Sequence, residues 1–102
     1  MTDRELLDLA AFAAGIKTSL HKETDSVWID GPRVWNPLTD DGDALRLAVE
    51  LKIDVKHYDD HVVGWFDCGY IGAGRIPYEG DPYAATRRAI VQAAAELGKG
   101  MK

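Results

Sequence analysis

The chain has 102 residues, of which 46% are hydrophobic and 28% charged, close to ordinary globular usage; this excludes a disordered, collagen-like or disulfide-built protein. Basic residues number 12 and acidic residues 17, so the formal charge is −5, a balance that repels nucleic acid and anionic membranes at long range. The longest apolar run, Leu9 to Ala14, is too short to span a membrane, and Asp3, Arg4, Glu5 and Asp8 interrupt any secretory leader.

A chain of this length predicts one domain over residues 1–102. Thr2 and Glu5 have the spacing of a capping box. Leu6, Leu9, Ala10 and Ala13 then recur at helical spacing, with Leu7 and Ala14 widening the stripe. Gly15 supplies the left-handed residue that ends this helix. Residues Ile16 to Asp30 read as a hairpin broken at Thr24-Asp25-Ser26 and closed by Gly31-Pro32. Arg33 to Leu38 reads as a loop, because Pro37 biases Asn36 away from helix.

Thr39 or Asp40 caps the second predicted helix, and Asp41 and Asp43 fill its first turn, where the helix dipole favours anions. Its apolar face is expected at Leu45, Ala48 and Val49, with Ala44, Leu47 and Leu51 beside it. Residues Ile53 to Tyr58 alternate, Asp59-Asp60 turns, and His61 to Asp67 returns. A two-residue turn pairs Tyr58 with His61 and His57 with Val62. One face then carries Ile53, Val55, His57, Val62, Gly64 and Phe66, the core side. The other carries Asp54, Lys56, Tyr58, His61, Val63 and Trp65, either half covered or an interaction surface. Gly69 to Gly80 reads as a loop with room for a short edge strand at Arg75 to Tyr78. The third helix starts at Asp81 with Pro82 in the first helical position. Tyr83, Thr86, Ile90, Ala93, Ala94 and Leu97 form its stripe, Gly98 stops it, and the last residues fray. The order α-ββ-α-ββ-α predicts an α+β fold, a mostly antiparallel four-stranded sheet flanked by three helices.

The run Trp35-Asn36-Pro37-Leu38-Thr39-Asp40-Asp41-Gly42-Asp43-Ala44-Leu45-Arg46-Leu47-Ala48-Val49 resembles the central motif of a family of small phage and prophage proteins, the phage α-β-α sandwich domain. Asp81-Pro82-Tyr83-Ala84-Ala85-Thr86-Arg87-Arg88-Ala89-Ile90-Val91, continuing through Ala93-Ala94-Ala95-Glu96, resembles that family's C-terminal helix. The likeness spans nearly the whole chain, with looser matches at Lys22 to Val27 and Cys68 to Glu79. It implies an α-β-α sandwich and a phage origin, and it brings no catalytic residues.

Candidate chemistry is sparse. Cys68 stands alone, so no intrachain disulfide forms; a reducing cytosol and a structural thiol fit best. His57 and His61 invite a metal reading, but a two-residue turn sends them to opposite faces of the hairpin. Asp40, Asp41 and Asp43 are explained by helix capping, and their spacing misses the calcium-loop pattern. Gly69-x-x-Gly72-x-Gly74 resembles a phosphate loop only in its glycines, because no helix follows at once. A backbone nest there can still bind an anion. Gly72, Gly74 and Arg75, with Arg87, Arg88 and a stacking Trp35, form the candidate anion set; Arg33 is a further cation. Against this, Trp35 also fits as a lid on the core. Ser19 and Ser26 lack a nucleophile-elbow context, and the glutamates are scattered.

Neither a metal nor a cofactor is therefore expected, and the sequence leans away from an enzyme. The reading is a small cytosolic phage accessory protein that binds, sequesters or inhibits. Its expected partner is a host or phage protein or a small anion, with no direct nucleic-acid binding and no membrane. Tyr58, Val63 and Trp65 are the candidate interaction surface, and a homo-oligomer through that face is possible. The alternatives are an enzyme acting on a nucleotide or other phosphate compound, which needs His57 or His61 beside the Asp40 cluster, and a structural part of a phage assembly.

Overall fold

The computed structural model describes residues 2–16, 19–21, 26–29, 33–66 and 71–101. They form, in order, α1 (Asp3–Ala14), β1 (Ser19–His21), β2 (Ser26–Ile29), β3 (Arg33–Val34), α2 (Asp41–Leu51), β4 (Asp54–His57), β5 (His61–Phe66), β6 (Ile71–Pro77) and α3 (Pro82–Met101). The class is α+β. The expectations at Cys68, Gly69, Gly31-Pro32 and Thr24-Asp25 lie outside the described residues, as do the side chains of His21 and Trp28.

Helix starts follow local chemistry. The Thr2 hydroxyl accepts the Glu5 amide at 3.1 Å, and the Glu5 carboxylate accepts the Thr2 amide at 3.4 Å. The Thr2 hydroxyl also donates to the Glu5 carboxylate at 3.0 Å, and this bond, helped by the one from the amide, holds the Glu5 carboxyl below its usual range. Gly15 closes α1 at φ 70°. Asp40 caps α2 by accepting the Asp43 amide at 2.8 Å. Asp81 caps α3 by accepting the amides of Tyr83 and Ala84, both at 3.1 Å.

One four-stranded sheet was the expectation; two antiparallel three-stranded sheets form, ordered β1-β2-β3 and β4-β5-β6. Two segments supply the extra strands: Arg33-Val34, expected as loop, and Ile71–Pro77, expected as loop with only a short edge strand at Arg75 to Tyr78. Arg33-Val34 pairs with Ile29 and Trp28, because Pro37 acts on Asn36 and leaves the residues before it extended. Ile71–Pro77 pairs along β5, with a register irregularity between Val63 and Trp65. Within the β4–β5 hairpin, His57 lies opposite Val62, and the Tyr58 amide donates to the His61 carbonyl at 2.8 Å, the expected two-residue turn.

Helix α3 is the centre of the molecule. It packs on the second sheet, and α1 and α2 pack on it. The helices thus lie on the Val62 side of that sheet rather than flanking it as a sandwich. Small residues bring the layers together. A Cβ at Gly64 of β5 would stand 2.6 Å from the Ala89 carbonyl oxygen, and one at Gly98 would collide with the Leu9 carbonyl. This explains why Gly98 does not end α3: it sits inside the helix as the crossing point with α1.

The main core joins Leu6, Leu7, Ala10 and Ala11 of α1 to Ala44 and Leu47 of α2 and to Ile90, Val91, Ala94 and Ala95 of α3. Phe66 and Trp35 complete it. The α2 stripe is rotated from its expected place. Asp43, Ala44, Leu47 and Ala48 face inward, whereas Leu45 is 64% and Val49 70% exposed. Tyr83, assigned to the α3 stripe, is also exposed.

Candidate functional site

The candidate anion set does not assemble. Trp35 is 3% exposed and belongs to the core, so its ring cannot stack on a ligand. The corner that follows it is internally saturated. The Asn36 amide donates to Asp43 Oδ2 at 3.1 Å, and Asn36 Oδ1 accepts the Leu38 amide at 3.0 Å. The Asn36 carbonyl accepts the amides of Thr39 and Asp40. Asp43, itself 3% exposed, also accepts Arg46 Nη2 at 2.9 Å. Such a buried carboxylate is tolerable because backbone and guanidinium donors satisfy it.

Arg87 and Arg88 are committed to the same neighbourhood. Arg87 Nε donates to the Leu38 carbonyl at 2.8 Å, and its Nη1 meets Asp41 at 2.7 Å. Arg88 meets Asp3 of α1 at 3.0 Å. These two cations therefore tie α3 to the starts of α2 and α1. Gly72, Gly74 and Arg75 lie on β6 instead. Gly74 adopts φ 110°, which only glycine takes readily.

The histidines also separate. His57 Nε2 meets the Thr86 hydroxyl of α3 at 2.9 Å, and His61 Nδ1 meets Asp60 at 2.6 Å. Among the described residues, no group of three or more His, Cys, Asp or Glu side chains is placed to hold a metal ion.

What remains is the sheet face turned away from α3. Strand register places Asp54, Lys56, Val63, Trp65 and Arg75 there. Val63 is only 5% exposed, which corrects its place in the expected interaction surface. It lies between Lys56 and Arg75 on the neighbouring strands, whose apolar stems can cover it. The Trp65 indole lies against Gly72, where a Cβ would come within 3.1 Å of the ring. Glycine at this position thus makes room for the tryptophan. Trp65 Nε1 is buried with no hydrogen-bond partner among the described residues.

At the turn, the Tyr58 and His61 rings stack with centroids 4.5 Å apart and planes 7° from parallel. Lys56 Nζ lies 5.4 Å from the Tyr58 ring centre, within cation–π reach. Behind them the Tyr78 hydroxyl donates to the Tyr58 carbonyl at 2.6 Å. The hydrogen bond from His61 holds the Asp60 carboxyl below its usual range. Asp54, Lys56, Tyr58 and Trp65 line a shallow hollow of about 340 Å³. The face is an aromatic stripe between two cations, with the Asp60–His61 pair at its turn end.

The alternating pattern of the hairpin pointed to Tyr58 and Trp65. The sequence places Lys56 on this face without making it a candidate contact, and Arg75, expected in the anion set, lies on β6 opposite Val63. Comparison with protein-family models, curated proteins and solved structures finds no match to this chain. Among the described residues, no helix is long and apolar enough to cross a membrane.

Proposed function

We propose that the protein is a small phage or prophage accessory protein that works by binding in the host cytoplasm. On this reading it holds a host or phage protein through the outer face of the second sheet. The observation that carries the reading is that face itself: Tyr58, His61 and Trp65 between Lys56 and Arg75, on the side opposite α3. Aromatic residues and arginine are the side chains enriched at the hot spots of protein interfaces. Their pre-stacked geometry lowers the ordering cost of binding. The phage origin rests on the resemblance of Trp35 to Val49 and of the α3 sequence.

Native mass spectrometry on the protein isolated from phage-infected cells tests this. A co-isolated protein mass is expected with the wild type. Lys56→Glu and Trp65→Ala should each lower its occupancy by about tenfold or more, the scale of an interface hot spot. An unchanged complex in both variants removes the face from the mechanism. A nucleotide-sized mass in place of a protein overturns the partner class.

A further inference from the structure

A second surface lies apart from that face. A groove of about 450 Å³ runs between the first turn of α1, the Leu38-Thr39 corner, the end of β6 and the first turns of α3. Leu38, Ile76, Ala84 and Ala85 give it an apolar floor. Its charged lining is Asp3, Glu79 and Asp81 against Arg88, a balance of 1 − 3 = −2. Arg88 is already bound to Asp3, and Asp81 caps α3 through Oδ1. Glu79 makes no hydrogen bond or ion pair with a described residue.

The backbone at Glu79 is costly. The Asp81 amide donates to the Tyr78 carbonyl at 3.0 Å, closing a turn whose central residues, Glu79 and Gly80, have φ 50° and 86°. Two successive positive φ angles favour Asn, Asp or Gly at the first position, whereas a glutamate there carries a steric penalty. The fold alone would be better served by glycine. Strain held at an exposed residue with no partner among the described residues motivates a role in binding.

We propose that this groove receives an arginine or lysine side chain from a partner protein, with Glu79 as its counter-ion. The apolar floor suits the methylene stem, and the unpaired carboxylate suits the charged head. A small inorganic cation would leave that floor unused. The positive ends of α1 and α3 are covered by their own caps, Thr2 with Glu5 and Asp81, so they offset Glu79 only in part. The wall is preformed, because the Tyr78 hydroxyl is fixed on the Tyr58 carbonyl. The chain's charge of −5 favours a basic partner at longer range.

The test is a ¹H–¹⁵N NMR titration of the full chain with acetyl-Leu-Arg-Leu-amide and its Gln counterpart. Shifts for the Arg peptide should centre on Leu38, Ile76, Glu79 and Ala84, with at least about fivefold weaker binding of the Gln peptide. Glu79→Gln should weaken the Arg peptide by a similar factor with an unchanged melting temperature. Glu79→Gly should weaken it equally while holding or raising the melting temperature, because glycine relieves the turn. Equal binding of the two peptides, full binding by either variant, or no binding at all overturns the proposal. So does a set of shifts centred on Lys56 and Trp65. The Glu79 variants leave the outer face untouched, and shifts at the groove are distinct from shifts at Lys56 and Trp65, so this inference and the proposed function fail separately.

Discussion

In the corner from Trp35 to Asp43, the aromatic and charged side chains serve the fold. Trp35 fills the core, Asp43 accepts the Asn36 amide, and Arg87 reaches across from α3 to the Leu38 carbonyl. On the outer face of the second sheet, similar side chains lie on one another at the surface: Lys56 over Tyr58, Tyr58 on His61, Trp65 on Gly72. Both regions are rich in the residue types that attract a functional reading. The difference is whether internal partners use up their hydrogen-bonding and packing capacity. The densest motif in the sequence is therefore structural, and the candidate site lies in a plainer hairpin.

The largest expected effect breaks the corner. Trp35→Ala removes a buried indole from the contact of α1, α2 and α3, and should cost about 3–5 kcal/mol in urea unfolding. A loss below about 1 kcal/mol would mean that the ring is not a core element, and Trp35 would return to the list of ligand contacts.

Asp43 sharpens the same contrast. Asp43→Ala leaves the Asn36 amide without its acceptor and leaves Arg46, which is exposed enough to be rehydrated, with only the looser Asp40 contact at 3.9 Å. A cost of about 2–3 kcal/mol is expected, as for loss of a charged hydrogen-bond partner beneath the surface. Asp43→Asn keeps one acceptor and should cost less. The denaturant midpoint should shift with an unchanged m-value. Equal costs for the two substitutions would assign the effect to charge rather than to the amide contact.

Legibility divides along the range of the interactions. The Thr2–Glu5 capping box, the Asp81-Pro82 start of α3 and the β4–β5 register depend on residues a few positions apart, and the sequence pattern reveals them. The α2 face was misplaced because Asp43 looked like a surface cap. Its burial depends on the Asn36 amide, which folds back on it only once the Asn-Pro corner has formed. Strand β6 was obscured by Gly72 and Gly74, read as loop punctuation; Gly72 is there to admit Trp65 from the neighbouring strand. In the sequence Arg87 and Arg88 look available to an anion because their partners, Asp41 and Asp3, lie 46 and 85 positions away. Nothing local marks such a pairing.

The smallest expected effect is at the turn of the outer face, where Asp60 accepts from His61. The bond favours the ionised carboxyl, so the folded pKa lies below its ordinary unfolded value. The associated stabilisation is fully present above that unfolded value and is lost as pH falls through the lowered one. Asp60 is exposed, so the readout is its own titration rather than global unfolding. His61→Phe keeps a ring against Tyr58 and removes the donor. The Asp60 carboxyl, followed by ¹³C NMR, should then titrate in the ordinary carboxylate range. An unchanged titration would mean that His61 is not anchored in solution. The Tyr58–His61 stack would then be assembled at the moment of binding, and the face would lose the preformed character that separates it from an ordinary hairpin end.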